Sequence, residues 1–294
     1  MPGLGPLDQP SGLVGGGIVQ VTANGTSANR CRVDDWFRTP GQLEVLVLCQ
    51  NLAGAVADSR FTLLYQSDET TRALHTGYAW VTSDGSAPMP WQANSSSPTA
   101  LNTVTHTAGS GLYTVLFPGL TAAVGNAQVT GQGTGSTYCK LRGVSVVAAG
   151  AQVVVACHTE TGTLTDAAFN ISYVAGGFAH NHGGAYGLAN QSTRTTWYTL
   201  GNSFSSRDLP QARRAPNPSS PTTFLTGVYE VRMVFQASTG GNPIVTALGN
   251  NGNTCQVESW SMVGSDAVAR VACRTPTGTA VNSQFSFLYS TRHD

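Results

Sequence analysis

The stretch from Cys31 to Cys49, which reads CRVDDWFRTPGQLEVLVLC, decides the fold of this chain. Two β-rich runs flank a polar turn at Thr39-Pro40-Gly41, a pattern typical of a β-hairpin. In an antiparallel hairpin the two cysteines would face each other at its open end, at a spacing that suits a disulfide. The sequence therefore predicts a closed hairpin, which the disulfide would stabilise by about 3 kcal/mol in the chain-entropy model.

The same pattern occurs three times. The cysteines of each pair are 18 positions apart, and the pairs repeat after 108 residues (Cys31 to Cys139) and then after 116 (Cys139 to Cys255). A glycine, a phenylalanine and a tyrosine follow every second cysteine at fixed distances, so the chain is an internal repeat. The matched residues are Cys31 and Cys49, Cys139 and Cys157, Cys255 and Cys273, then Gly54, Gly162 and Gly278, Phe61, Phe169 and Phe285, and Tyr65, Tyr173 and Tyr289.

The segment between successive disulfide regions occurs only twice, as residues 78–117 and 186–233. We therefore divide the chain into an incomplete unit one (1–72) and complete units two (73–180) and three (181–294). Met1 to Leu4 matches Phe117 to Leu120, which places the first residue inside a unit. If Met1 is the natural start, unit one should expose an apolar sheet face and an open edge. A neighbouring copy could supply the missing strands by strand addition.

Alternating apolar runs, 34 glycines and 14 prolines predict an all-β protein. Seven or eight strands in each unit would form tandem antiparallel β-sandwiches with one disulfide each. A five-bladed β-propeller is the alternative, because each complete unit divides into two halves of about 50 residues that could each be one blade.

Composition excludes several classes of partner. Charged residues make up 10% of the chain and balance to zero, with Lys140 as the one lysine, so no basic surface for nucleic acid is expected. No apolar run reaches 18 residues, so we predict no membrane span. Paired cysteines indicate an oxidising compartment. We therefore expect a secreted, extracellular chain whose export signal lies outside the given sequence.

The sequence predicts no catalytic site and no cofactor. His180 and His182 are a weak candidate metal pair, because two imidazoles on one side of an extended strand could bind zinc or copper with a third ligand; a polar linker is the simpler interpretation. Asp58 and Asp166 match Asn282 before the repeat phenylalanine. An exchange of Asp for Asn favours a turn that caps its own backbone over an ionising acid.

The aromatic residues form two sets. Trp36 and Trp260 lie five positions after a cysteine, so in a regular strand they would face away from it as packing residues. Trp91, Trp197 and Tyr198 lie in the most variable part of the units. They could present an aromatic platform to a sugar or a partner surface, or simply close the ends of the sandwiches.

Several motifs resemble the repeats of secreted actinobacterial and myxobacterial proteins of unknown function. They include Gly-Tyr-Ala-Trp at 77–80, Leu-Tyr-Thr-Val-Leu-Phe-Pro-Gly-Leu at 112–120 and Asp-Ser-Arg-Phe-Thr-Leu-Leu-Tyr at 58–65. The resemblance covers nearly the whole chain; it implies export and modularity, and adds no mechanism.

Our leading hypothesis is a non-enzymatic extracellular repeat protein that acts through its surfaces, in adhesion, matrix or filament assembly. Its expected partners are other copies of itself or an extracellular protein or glycan surface. A carbohydrate-binding module is the second hypothesis, and a secreted hydrolase with a non-repeated site is the third.

Overall fold

The chain is all-β. The computed structural model describes residues 17–39, 42–67, 75–87, 89, 91–96, 101–176, 182–238 and 240–292, and within them strands are the regular secondary structure. The described part of unit one contains four strands: β1 (Gly17–Asn24), β2 (Arg30–Thr39), β3 (Gln42–Gln50) and β4 (Arg60–Ser67).

Units two and three contain the remaining strands. Those of unit two are β5 (His75–Val81), β6 (Gln92–Asn94), β7 (Thr103–His106), β8 (Leu112–Pro118), β9 (Gly125–Gly131), β10 (Tyr138–Val147), β11 (Gly150–His158) and β12 (Phe169–Ala175). Those of unit three are β13 (His182–Ala189), β14 (Tyr198–Thr199), β15 (Gly201–Ser205), β16 (Gln211–Asn217), β17 (Ser220–Met233), β18 (Asn242–Leu248), β19 (Thr254–Val263), β20 (Asp266–Arg274) and β21 (Gln284–Arg292).

The three predicted disulfides are confirmed, and each closes an antiparallel hairpin. Cys31 faces Cys49 across β2 and β3, and the equivalent pairs join β10 to β11 and β19 to β20. The Cα atoms are 4.0 Å apart in every pair. Each hairpin has a β-bulge at the third residue after the first cysteine, as the register between Val33 and Asp35 shows. A bulge adds one residue to one strand, so the side chains that follow it in that strand point to the opposite face of the sheet from the one that simple alternation predicts.

Units two and three each form an antiparallel sandwich, which confirms the predicted fold class. In unit two the layer β6-β5-β12-β9 packs on the layer β7-β8-β11-β10, with Phe117, Val153 and Ile171 in the shared core. In unit three β15-β13-β21-β18 packs on β14-β16-β17-β20-β19. The propeller alternative is wrong, because β5 and β12 come from different halves of a unit and share one sheet. The halves are therefore not separate blades.

The three units close into a ring, which the sequence did not predict. β1 of unit one corresponds to β9 of unit two and β18 of unit three. The residue at the end of each of these three strands forms a parallel bridge with the disulfide hairpin of another unit, and the next residue, a glycine with positive φ, donates its amide to the same hairpin at 2.8–3.0 Å. Unit one contacts unit three, unit three contacts unit two, and unit two contacts unit one. The bridges are Asn24 to Val257, Leu248 to Leu141 and Gln132 to Val33.

Three equivalent threonines hold the centre of the ring. The backbone amide of Val21 donates to Thr130 Oγ1 at 3.0 Å. Thr22 and Thr246 accept in the same way from the amides of Val245 and Val129, both at 3.1 Å. Each bond again joins two different units, and all three threonines are buried. Strands β1, β9 and β18 therefore bury both faces, the apolar one in their own unit and the polar one against a neighbouring unit.

Residues that directly follow the first cysteines clamp the next unit. Arg32 donates to the carbonyl of Gly135, Lys140 to the carbonyl of Asn251 at 2.8 Å, and Gln256 to the carbonyl of Ser27. These acceptors are equivalent positions of successive units. Burial lowers the pKa of Lys140 to about 8 and that of Arg32 to about 10, because a low-dielectric environment disfavours the charged form.

A repeat-matched glycine makes room for each repeat tyrosine. A Cβ atom on Gly125 would lie 2.0 Å from Tyr173 Oη, one on Gly17 2.2 Å from Tyr65 Oη, and one on Gly241 1.6 Å from Tyr289 Oη. A side chain at any of these glycine positions would displace the aromatic ring of the neighbouring tyrosine. Strands β1, β9 and β18 therefore each begin at or directly after a glycine that only the repeat spacing reveals.

Candidate functional site

The most distinctive surface is the side of unit one where the described residues contain no counterpart to strands that units two and three have. In unit two β8 pairs with β11, and β5 pairs with β12; in unit three β17 pairs with β20, and β13 with β21. The equivalent strands of unit one are β3 and β4, whose outer edges pair with no strand among the residues that the structure describes. We call these two edges, with the apolar face between them, the open side.

Exposure of the repeat phenylalanine follows from the missing strands. Phe169 and Phe285 are fully buried, and their rings meet Tyr113 and Tyr229 edge-on at 5.1 and 5.2 Å. Phe61, at the same position of unit one, is 44% exposed. Val45 and Val47 on β3, which match the fully buried Val153 and Val155, are only partly buried. The open side therefore presents to solvent the residues that form the core of the other two units.

Asp58, Asp166 and Asn282 occupy one position with a capping role. Asp166 accepts hydrogen bonds from the amides of Gly109 (2.6 Å) and Gly111 (2.8 Å), and Asn282 accepts from Gly227 (2.9 Å). The expectation that these residues cap their own turn is wrong, because the donors precede β8 and lie in β17. No side-chain partner is described for Asp58, since the strand that would carry the matching glycine is missing from the described part of unit one.

The two repeat tryptophans differ because of the same missing segment. Trp36 is 6% exposed and packs edge-on against Trp91 of unit two at 5.5 Å between ring centroids. Trp260, its equivalent in unit three, is 37% exposed, and Met262 beside it is also exposed. The strands that would cover Trp260 in the ring belong to unit one. The prediction that Trp36 faces away from Cys31 is wrong, because the bulge returns it to the cysteine's side, in the same apolar cluster.

The residues of the predicted aromatic platform lie in different environments. Trp91 is half-buried between Trp36 and Trp80. Trp197 is half-buried beside the guanidinium groups of Arg213 (4.4 Å) and Arg232 (4.8 Å) on unit three. Tyr198 is buried, and its hydroxyl accepts a hydrogen bond from the amide of Gln191. Use of these residues in ligand binding stays a prediction.

The predicted metal pair cannot be located fully. His180 lies outside the described residues, and of His182 the backbone alone is described, paired with Arg292 in the sheet. Among the described residues, no three His, Cys, Asp or Glu side chains are grouped as metal ligands would be.

A buried cluster that sequence reasoning missed surrounds His106. Its Nε2 atom lies 3.2 Å from Asp166 Oδ2, its Nδ1 atom lies 2.8 Å from the carbonyl of Leu112, and its ring stacks on Tyr113 at 4.1 Å. Burial raises the pKa of Asp166, but hydrogen bonds from two glycine amides and the interaction with His106 outweigh that effect and lower it. Both ring nitrogens face protein partners, so the arrangement fastens β7 to the start of β8.

A small cavity lies where the three units meet. Its volume is about 80 Å³, and equivalent residues of all three units line it, among them Thr22, Thr130 and Thr246. Arg32 and Lys140 also reach its wall, but their charged groups donate to carbonyls of the next unit. The cavity is a seam of the ring at which equivalent residues of the three units meet.

Three disulfides are typical of extracellular proteins. Within the described ranges the structure contains no helix with the length and hydropathy needed to span a membrane. No protein-family model, curated protein or solved structure matches the chain.

Proposed function

We propose that this chain is a non-enzymatic, secreted repeat protein that works as an assembly subunit, and that the open side of unit one is its contact surface. The observation that carries the proposal is the contrast between Phe61, which is 44% exposed, and the fully buried Phe169 and Phe285. An apolar sheet face between two unpaired edges favours association with other strands.

The ring makes this surface rigid enough for recognition. Unit one is held by a bridge from Asn24 to unit three and by hydrogen bonds from Arg32 to unit two. A disulfide between Cys31 and Cys49 fixes β3 against β2. A partner therefore meets an edge whose shape is already set, which lowers the entropy cost of binding.

A structural role for the repeated polar residues supports the non-enzymatic part of the proposal. Asp166 and Asn282 make the same type of backbone cap in two units, so the position does not depend on an ionising group. The remaining pairs, such as Arg213 with Glu230 and Arg270 with Glu258, are cross-strand ion pairs on sheet surfaces. The disulfides support secretion, because cytoplasmic thiols are kept reduced.

The test is light scattering of the oxidised chain over a wide concentration range. We expect concentration-dependent association that Phe61→Lys abolishes, because a charge placed on the open side opposes strand addition. Leu209→Lys is the matched control, since Leu209 is equally exposed but lies in unit three. A chain that stays monomeric at every concentration would contradict the proposal, as would equal effects of the two substitutions.

A further inference from the structure

One corner of unit three departs from the repeat at three positions that lie together. In unit two the turn after β8 contains Gly119, and a Cβ atom on it would lie 3.5 Å from the Cβ atom of Ser96, which follows β6. The third position is Gly150, at the start of β11. Strand pairing gives the unit three equivalents of the two glycines, and matching backbone hydrogen bonds of the preceding serine give that of Ser96. In the order Ser96, Gly119 and Gly150, these equivalents are Arg207, Phe235 and Asp266. Three small residues are thus replaced by a cation, an aromatic ring and an anion.

Phe235 has a backbone conformation that normally requires glycine. Its φ is 55°, and its equivalent Gly119 has a φ of 74°. A Cβ atom makes this left-handed region unfavourable for a bulky residue. Among the described residues, the other non-glycine residue with positive φ is Asn202, a residue type that tolerates it. Phe235 is nevertheless 56% exposed, so burial of its ring does not account for the strain. Strain that is kept where glycine would serve is typical of functional sites.

The carboxylate of Asp266 fixes the Phe235 backbone. In unit two the Gly119 amide donates to the carbonyl of Ala149 at 2.9 Å. In unit three the Phe235 amide donates to Asp266 Oδ1 at 3.0 Å instead. The residue that replaces one glycine therefore binds the residue that replaces the other, so the two replacements form one local structure.

Gln236 fastens the turn that carries Arg207 to the same corner. Its side chain is buried, and its Nε2 atom donates to Ser205 Oγ at 3.1 Å and to Ser206 Oγ at 2.9 Å. The position of Arg207 relative to Phe235 is therefore set before any ligand arrives. A site that is already ordered binds at a lower entropy cost.

An open pocket lies at this corner. Its volume is about 500 Å³, which is within the range of small-molecule sites. Its lining residues, which we call the corner pocket, are Arg207, Asp208, Phe235, Ala237 and Ser265. Arg207 and Asp208 are both exposed, so their charged groups are available to a ligand beside the aromatic ring.

The chemistry of the corner pocket fits a neutral saccharide. An exposed aromatic ring offers a flat apolar surface on which the C–H face of a sugar ring can stack. The Arg207 guanidinium donates hydrogen bonds and the Asp208 carboxylate accepts them, whereas a sugar hydroxyl does both. The charges of these two residues cancel, and the nearby Asp266 is paired with Arg232 at 3.8 Å, so the site does not select a charged ligand.

We propose that the corner pocket binds a neutral saccharide, with a sugar ring stacked on Phe235 and its hydroxyls hydrogen-bonded to Arg207 and Asp208. This inference goes beyond the proposed function, because the open side lies on unit one and the corner pocket on unit three.

The corner pocket differs from the aromatic platform that the sequence predicts. Trp197 has two guanidinium groups over its ring, at 4.4 and 4.8 Å. Tyr198 is buried, and Trp91 packs between two other tryptophans. Phe235 is more exposed than any of these three side chains, so its ring has the most surface free for a ligand.

Affinity electrophoresis of the oxidised full-length chain tests the site. The probes are soluble neutral polysaccharides (hydroxyethylcellulose, mannan, dextran and laminarin), each cast in its own native gel, with alginate as an anionic comparison. We expect at least one neutral probe to retard the chain, and the dependence of migration on probe concentration gives the dissociation constant. Absence of retardation by all four neutral probes, or retardation by alginate alone, would overturn the inference.

Substitutions at Phe235 separate binding from folding. Phe235→Gly restores the residue of unit two and relieves the strain, so it should leave Tm no lower than in the native chain. It should nevertheless weaken saccharide binding about tenfold or more, because the central aromatic contact is lost. Phe235→Tyr keeps the ring and should keep binding.

Two further variants localise the site. Asp208→Ala should also weaken binding about tenfold or more, whereas Leu164→Ala, at an exposed position of unit two, should leave it unchanged. Retardation that survives both Phe235→Gly and Asp208→Ala would place binding elsewhere and overturn the inference. In light scattering, Phe235→Gly should associate as the native chain does, so failure of the corner pocket and failure of the open side are observed separately.

Discussion

Thr130 Oγ1 accepts a hydrogen bond from the backbone amide of Val21, so a side chain of unit two completes the backbone of unit one. The same hydroxyl lies 2.8 Å from Gln20 Oε1. All of these groups are buried.

Replacement of Thr130 by valine should destabilise the protein by about 1–3 kcal/mol, because the Val21 amide then has no partner away from water. Thr103→Val, on an exposed position of β7, should change the free energy of unfolding by less than about 0.5 kcal/mol. Urea unfolding of both variants measures the difference. Equal stability of the two variants would show that the threonine contact does not hold the ring.

Gly125→Ala should be one of the most damaging small substitutions in the chain. The new methyl group would lie 2.0 Å from the hydroxyl oxygen of Tyr173, a buried residue, so we expect a loss of about 2 kcal/mol or more from overpacking. Gly143→Ala is the matched control, since nothing lies within 4 Å of its Cβ position. Thermal unfolding should show a clear fall in Tm for Gly125→Ala and almost none for Gly143→Ala; similar Tm values would contradict this packing.

Lys140 should make stability rise with pH above neutrality. Its pKa falls to about 8 in the folded chain from about 10.4 in an unfolded one. Between these values the unfolded chain holds a proton that the folded chain has released, so the free energy of unfolding increases with pH. We expect a gain on the order of 1 kcal/mol between pH 8 and pH 9.5.

Lys140→Gln tests that pH dependence. Glutamine already fills the equivalent clamp position as Gln256, so the variant should fold and lose the increase. Urea unfolding at the two pH values gives the comparison. A variant that keeps the full increase would assign the pH dependence to another group.

Asp166→Asn should leave the free energy of unfolding nearly unchanged, because Asn282 already caps a glycine amide with an amide oxygen. Asp166→Ala should lower it by about 1 kcal/mol, because the glycine amides then lose their acceptor.

The lowered pKa of Asp166 means that its contribution to stability is present above the unfolded pKa and is lost as pH falls through the folded pKa. Acid unfolding should therefore begin at a lower pH for the Asn variant than for the native chain. Acid unfolding at the same pH in the native chain and in Asp166→Asn would show that ionisation of Asp166 does not contribute to stability.

The sequence was sufficient for the sandwiches and disulfides but not for the ring. Cysteine spacing and alternation within strands are local signals, and both are confirmed. Alternation along β1, where Gln20 and Thr22 separate apolar residues, normally indicates one face in solvent. In the structure both faces are buried, because a neighbouring unit supplies polar partners.

The sequence does contain one signal of the contacts between units. Thr22, Thr130 and Thr246 recur at the repeat spacing, as do Gly17, Gly125 and Gly241. Their recurrence shows a shared role but not whether the contact lies within a unit or between units. The bulge that reorients Trp36 leaves no signal in the period-two pattern of its strand, which is why its facing was predicted wrongly.

The closed ring also governs the order in which the chain can mature during synthesis. Gly25 of unit one donates its amide to the carbonyl of Val257 of unit three. Unit one is therefore synthesised before units two and three but gains contacts to both of them only after unit three has been made. Most tandem proteins fold one domain at a time, but unit one cannot complete its contacts until unit three is present. A chain truncated before Val257 should therefore contain an unstable unit one.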